Sequence, residues 1–293
     1  MEQPSPSPDR KSAVFVGLAR DCARHLPHVL DNIHAMAELF GKSAFVFAEN
    51  DSRDQTRDIL RMFAANRPGV RILNFDGIGK RLPERTRRLA FLRNQCLSAI
   101  RADKVLRGYD YLIVVDMDDA NNEKLDLGAV ARALRFLEAD ETRAGGFANS
   151  RGPFYDIWAL REDSRCPGDA WEEVLDYATA HQVDDASAYR ATFARRIFTL
   201  PPDAAPVPVS SAFGGLGLYK LRFALMGTYK GFKAKDIVED GKPRRARWQS
   251  CEHVSFNQDI VARGGKLFIL PYLCNVTTGA IEFNESFHRT LIF

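Results

Sequence analysis

Four times in the first 120 residues, a short apolar run is followed by a stretch with helical spacing. No other feature limits the fold as strongly, because strand and helix in alternation build a parallel sheet covered by helices. AVFVGLA (13–19) is a buried strand by length and by its valines. Cys22, Leu26, Val29, Leu30, Ile33, Met36, Ala37 and Phe40 then recur at spacings of three and four, and Gly41 stops the helix. SAFVFAEN (43–50) is a second strand, and DSRDQTRDILRMFAA a helix opening on Asp and Ser, both good N-caps. VRILNF (70–75), RTRRLAFLRNQCLSAIR (85–101) and YDYLIVVD (109–116) continue the alternation. The expected class is α/β, a mostly parallel sheet flanked by helices, with ligands at the carboxyl ends of the strands.

Beyond residue 121 the regularity fails. LGAVARALRFLEA (127–139), DAWEEVLDYATAH and ASAYRATFARRIF read as helices. FANSRGPFYDIWALRE (147–162) reads as strand, loop, strand, and PPDAAPVPV (201–209) as a proline-rich connection. SSAFGGLGLYK and GKLFILPYL are strand-like, and the Lys/Arg-rich stretch 229–250 reads as a mobile loop. The expected organisation is a disordered Pro/Ser-rich lead-in (1–11), a ligand-binding half (12–120) and a less regular acceptor and catalytic half (121–293) of the same compact domain.

Composition sets a few bounds. A chain of 293 residues, 45% hydrophobic, can bury a substantial core. A net charge of +3 does not argue for nucleic acid. Five cysteines without a CxxC spacing suggest a reduced, cytoplasmic protein. No apolar run is long enough to span a bilayer, which leaves peripheral contact with the inner membrane face open. The sequence says nothing about oligomeric state.

The fourth strand ends in carboxylates: VVDMDD places Asp116, Asp118 and Asp119 together. Like charges this close raise the cost of ionising one another, so a cation is expected among them. Asp116 and Asp118, two apart, can turn to one ion, and hard oxygen ligands suit Mg²⁺ or Mn²⁺. Mg²⁺ commonly takes one or two carboxylates and is completed by substrate phosphates. Two further segments stand beside this tip. FAENDSRDQT (47–56) offers Glu49 and Asp51 to a base or ribose, unless the latter only caps a helix. LRNQCL (92–97) puts Arg93 on an apolar helical stripe, where it must find either a carboxylate or a ligand phosphate.

Taken in order, ENDSRDQT, LRN and VVDMDD resemble the large family-two type of glycosyltransferases with the GT-A fold, a Rossmann-like arrangement. The usual pattern there is DDGSxDxT after a strand, ARN on the third helix and DxDD after a later strand. Glu49 and Asn50 stand in place of the paired aspartates, and Asp51 in place of the glycine. FYDIWALR (154–161) and SAFGGLGLY (211–219) are similar to segments of capsule-associated mannosyltransferases. The resemblance implies a nucleotide-diphospho-sugar donor, a glycan or other hydroxyl acceptor, and surface or capsular polysaccharide synthesis. It implies that Asp116 and Asp118 hold Mn²⁺ or Mg²⁺ on the diphosphate, that Asp119 lies close to the donor sugar or supports that pair, and that Glu49 reads the nucleoside.

Sugar transfer leaves charge on the diphosphate, which a divalent ion neutralises, and an inverting reaction needs a carboxylate base. Glu252 in SCEHVSFNQD (250–259) is the expected base, and adjacent His253 the third metal ligand, with a turn required if both lie on extended chain. Arg245, within KPRRAR (242–247), is expected on a lid that clamps the diphosphate. The basic run KRLPERTRR (80–88) could face donor phosphate, anionic lipid or an acidic glycan. Trp158 offers a ring face to a sugar, and Asp156 a carboxylate to its hydroxyls. Two alternatives compete. A haloacid-dehalogenase-like phosphatase also ends a strand in DxD, but it carries Thr or Val where this chain has Ala120. The other is a catalytically silent glycan-binding module on the same fold, against which the intact Asp116/Asp118 pair speaks.

Overall fold

The computed structural model describes residues 11–239, 242–279 and 291–292. The expected lead-in therefore lies, apart from Lys11, outside the described residues. The first half runs β1 (Ser12–Ala19), α1 (Leu26–Ala37), β2 (Lys42–Glu49), α2 (Thr56–Ala65), β3 (Val70–Asn74), the single turn α3 (Ile78–Arg81), α4 (Arg85–Ala102) and β4 (Tyr111–Asp116). The second half adds α5 (Leu127–Glu138), β5 (Arg143–Arg151), α6 (Ala170–His181), α7 (Asp185–Ala191), β6 (Val207–Val209), β7 (Leu216–Lys220) and α8 (Leu221–Ala224). It closes with β8 (Phe232–Glu239), β9 (Lys242–Gln249), α9 (Glu252–Val261), β10 (Lys266–Thr277) and β11 (Leu291–Ile292).

Both halves share one eight-stranded sheet, ordered β3-β2-β1-β4-β7-β5-β10-β6. β1 to β4 pair parallel, as do β5 and β10, while β7 runs antiparallel to both β4 and β5. The short β6 is antiparallel on the β10 edge. Period-two alternation sorts the strand residues to the two faces. Leu112 and Val114 of β4 join Val14 and Val16 in a core covered by α4. Tyr111, Ile113 and Val115 join Phe15 and Phe47 in a second core under α1 and α5. By the same alternation Asp116 falls on the α4 side. The motif's first carboxylate is thereby aimed at whatever α4 carries on its buried stripe.

Four stretches differ from the sequence-based expectation. The second strand expected within 147–162 does not form: residues 154–160 are loop and turn, with isolated bridges at Arg161 and Glu162. The 229–250 stretch is a hairpin, β8 on β9, in a small sheet with β11. Lys233 and Lys235 pin it to Glu172 and Asp176 of α6, with Lys235 3.0 Å from Glu172. Residues 252–261 form a helix, so Glu252 and His253 are neighbours on its first turn and not on extended chain. The second helix starts at Thr56 and takes no cap from Asp51 or Ser52. Asp51 instead adopts φ 54° and accepts the Gly77 and Gly79 amides at 2.6 and 2.7 Å, binding the loop after β2 to that after β3.

Candidate active site

The carboxyl ends of β1 and β4, the start of α4, residues 155–158 and the first turn of α9 enclose a cleft of about 640 Å³. Four carboxylates of the tip region, Asp116, Asp118, Asp119 and Asp156, line it together with Glu252 and His253. Arg20, Arg85, Arg88 and Arg93 line it too, the first from the end of β1 and the rest from α4. Arg85 and Arg88 are three apart and so share a face of the helix.

Arg93 is the centre of the arrangement. α4 buries Ala90, Cys96, Leu97 and Ile100 on one stripe, and Arg93 sits within it, 4% exposed. Its Nη2 donates to Asp116 at 3.1 Å and its Nε to Glu252 at 3.0 Å. The guanidinium also lies 5.2 Å from the Phe213 ring centre and 5.8 Å from that of Tyr229. Burial works against its charge, but the Glu252 and Asp116 carboxylates outweigh that, and its pKa lies above the ordinary value. Both sequence readings of Arg93 required a partner. The structure supplies two carboxylates, on β4 and α9, at once.

Asp116 is half-buried, and burial, then the nearby Asp118 charge, push its pKa up to about 7 against the opposing pull of Arg93. Asp118 keeps one oxygen on the Ala120 amide at 3.2 Å. Asp156 accepts from the Gly214 amide at 3.0 Å and more weakly from Ala159 at 3.4 Å. Gly214 and Gly215 have φ of +66° and +79°. A Cβ on Gly215 would lie 2.6 Å from the Tyr155 hydroxyl, so only glycine fits where this turn passes under the cleft. Trp158 lines the cleft and is half-buried.

His253 is 3% exposed, its ring stacked on Phe213 at 3.8 Å and 17°. Burial, then the Arg93 charge, drive its pKa well below the usual histidine value, so the imidazole is neutral. Neither ring nitrogen has a hydrogen-bond partner among the described residues, and Nε2 is 3.6 Å from the Glu252 carboxylate.

Among the described residues no group of three or more His, Cys, Asp or Glu is placed to hold a metal ion. His253 is therefore not gathered with Asp116 and Asp118 into a preformed ligand set. What fits a divalent ion is the aspartate pair alone: two carboxylates lining one cleft, with Asp116 pushed towards the protonated form by burial first and by the Asp118 charge second. Such a pair suits an ion whose remaining positions come from a bound phosphate and water.

Three residues expected at the ligand do not line the cleft. Glu49 is fully buried, accepting from Ser52 N at 2.9 Å and from Arg57 at 2.7–2.8 Å. Its buried charge is answered within the protein. Asp51 is committed to the two glycine amides described above. Arg245 is exposed on the β8–β9 hairpin, opposite Asp236, and does not line the cleft. Conversely, Arg20 was not singled out in the sequence. Its position directly after an apolar strand, at the end where ligands collect, was the available signal. Asn121 and Asn275, buried beneath the tip, gave no such signal.

No protein-family model matches the sequence, and no curated protein does. Solved structures do. One is a mannosyltransferase, PcManGT from Pyrobaculum calidifontis, in complex with GDP-Man and Mn²⁺, at 15% identity and a TM-score of 0.48 over 93% of this chain and 58% of that one. Another is TarS 1-349 from S. aureus, at 13% identity and a TM-score of 0.46 over 92% of this chain and 60% of that one. A third is the glucosyl-3-phosphoglycerate synthase from Mycobacterium tuberculosis in complex with UDP, at 12% identity and a TM-score of 0.42 over 98% and 80%. The chain thus spans about three-fifths of the length of the first two. No helix among the described residues is long and apolar enough to cross a membrane.

Proposed function

We propose that the chain is a glycosyltransferase that takes a sugar from a nucleotide-diphospho-sugar and passes it to a hydroxyl acceptor. One observation carries the reading: a single cleft, at the strand ends, sets Asp116, Asp118 and Asp119 against the guanidiniums of Arg20, Arg85 and Arg88. A ligand that satisfies both sets is a polyanion that brings its own cation, and a metal-bound diphosphate has that character. The order of ENDSRDQT, LRN and VVDMDD along the chain, which resembles GT-A glycosyltransferases, agrees with it.

In this reading Asp116 and Asp118 hold Mn²⁺ or Mg²⁺. The bound ion supplies Lewis-acid stabilisation of the charge that collects on the departing diphosphate. Arg85 and Arg88, on one face of α4, bind phosphate oxygens, and Arg20 closes the same side. Glu252 accepts the proton of the acceptor hydroxyl, and Arg93 fixes the orientation of that carboxylate through the 3.0 Å bond. Asp119 is exposed beside the pair, where it can reach donor-sugar hydroxyls. Trp158 offers its ring to a sugar face. Neutral His253, with no hydrogen-bond partner among the described residues, lines the same cleft and is the candidate for a third ligand. Surface or capsular glycans are the acceptor class that the FYDIWALR and SAFGGLGLY segments suggest. Cytoplasmic action with peripheral membrane contact would agree with such an acceptor.

The test is a thermal-shift panel of nucleotide-diphospho-sugars with and without Mn²⁺, followed by turnover of whichever stabilises. A donor at a hundred times its Kd should stabilise the fold by about 2.7 kcal/mol. No stabilisation by any donor in the presence of Mn²⁺ would remove the reading.

A further inference from the structure

Beneath the acidic tip lies a set of asparagines that no part of the proposed chemistry uses. Asn121 is 4% exposed and lies two residues after Asp119. Its Nδ2 donates to the Asp116 carbonyl at 2.9 Å and to the Gly215 carbonyl at 2.8 Å. The Gly215 carbonyl also accepts the Asp116 amide at 2.8 Å, so both its lone pairs are taken. Asn275, on β10 and 2% exposed, donates to the Asn121 Oδ1 at 3.0 Å and to the Gly214 carbonyl at 2.8 Å. From the opposite side Asn32, on α1, donates to the carbonyls of Asn121 (2.9 Å) and Glu123 (2.7 Å) and accepts the Leu125 amide at 3.1 Å.

These bonds have a common object. Residues 117–125 form a loop that leaves β4 through a single 3-10 turn, Asp119–Asn121, with little helix or sheet of its own to fix it. Three side chains from three separate elements supply what secondary structure does not. Asn121 spends both amide hydrogens and its oxygen on the clamp, which leaves it one orientation. The bonds also couple the loop to the Gly214–Gly215 turn, whose first amide is held by Asp156. A carboxylate pair must keep its oxygens within a few tenths of an ångström to share an ion, and a loop held only by its ends would not do so.

We infer that Asn32, Asn121 and Asn275 are positioning residues that hold Asp116 and Asp118 in the geometry for a cation–diphosphate ligand. The functional part rests on the reading of the cleft given above. The holding of the loop rests on the bonds alone. Asn32 is the informative member, since it does not line the cleft and is only half-buried on α1.

The experiment compares the full-length chain with its Asn32→Ala and Asn275→Ala variants by two readouts. Amide hydrogen exchange at Ala120 to Leu125 reports the loop, and calorimetric titration with Mn²⁺ plus UDP or GDP reports the ligand. Losing three bonds from Asn32 should speed exchange in that segment about tenfold or more, with global melting little changed. Affinity for the Mn²⁺–nucleoside diphosphate should fall about fivefold or more, which a purely structural role would not produce in the folded protein. Asn32→Ala supplies the answer even if Asn275→Ala fails to fold. Wild-type binding with Asn32→Ala binding within about twofold of it, and exchange unaltered, would overturn the inference. If the wild type binds neither diphosphate, the reading of the cleft fails and takes the functional part with it. Exchange then still decides whether the asparagines hold the loop.

Discussion

Replacing Arg93 with methionine tests how the site is assembled. The guanidinium is the shared partner of two carboxylates, at 3.1 Å from Asp116 and 3.0 Å from Glu252, and its own side chain is 5% exposed. Methionine keeps much of the volume and removes both charge-assisted bonds. Glu252, with 4% of its side chain exposed, is then buried without a counter-charge. Breaking a buried pair on one side costs about 3–5 kcal/mol. In a chain of this size that corresponds to a fall of roughly 5–8 °C in melting temperature. The assay is urea or thermal unfolding of wild type, Arg93→Met and the double variant Arg93→Met/Glu252→Met. Replacing both partners by apolar groups is often close to neutral, so the double variant should recover about half or more of the loss. A single variant that costs less than about 1 kcal/mol, or a double variant no better than the single, would refute the bridge as the organising contact.

Three other outcomes are expected. Gly215→Ala should destabilise by about 1–3 kcal/mol, because φ of +79° and the Tyr155 hydroxyl 2.6 Å from the new Cβ both oppose it; calorimetric melting checks this. Metal-free stability should fall as pH rises from about 4 to about 7: the folded Asp116 pKa, near 7, lies above the unfolded value of 3.8, so the folded state holds a proton that the unfolded chain has released. Asp116→Asn should flatten that dependence in urea titrations across the range, and an unchanged slope would show that the burial argument fails. Glu252→Gln should lower the transfer rate about a hundredfold or more while donor affinity measured by titration changes little; an unaltered rate would remove Glu252 as the base.

Much of the fold was legible because periodicity is a local property. The four strand–helix repeats, each short apolar run and each stripe such as Ala90, Cys96, Leu97 and Ile100, can be seen in one window of sequence. The tip Asp116–Asp118 was legible for the same reason, as a contiguous motif on a recognisable strand. Legibility ended where a role depends on register between distant segments. Arg93 could be seen to need a partner, but only the packing of α4 against α9 shows that Glu252 is one of them, 159 residues away. Glu49 and Asp51 carry the right groups at the right strand end. Arg57 and the Gly77 and Gly79 amides reach them in three dimensions and satisfy them. In the 229–250 stretch, lysine–carboxylate pairs tie the β8–β9 hairpin to α6. A one-dimensional reading takes such charge for a solvated loop.

The central claim is that the aspartates at the end of β4 grip an ion that in turn grips a diphosphate. It is tested most directly by calorimetric titration of UDP and GDP into wild type and Asp118→Ala, each with and without Mn²⁺. The account predicts that at least one diphosphate binds wild type about tenfold or more tightly with Mn²⁺ than without, and that Asp118→Ala loses this gain while remaining folded. Binding that is indifferent both to Mn²⁺ and to the loss of Asp118 would contradict it.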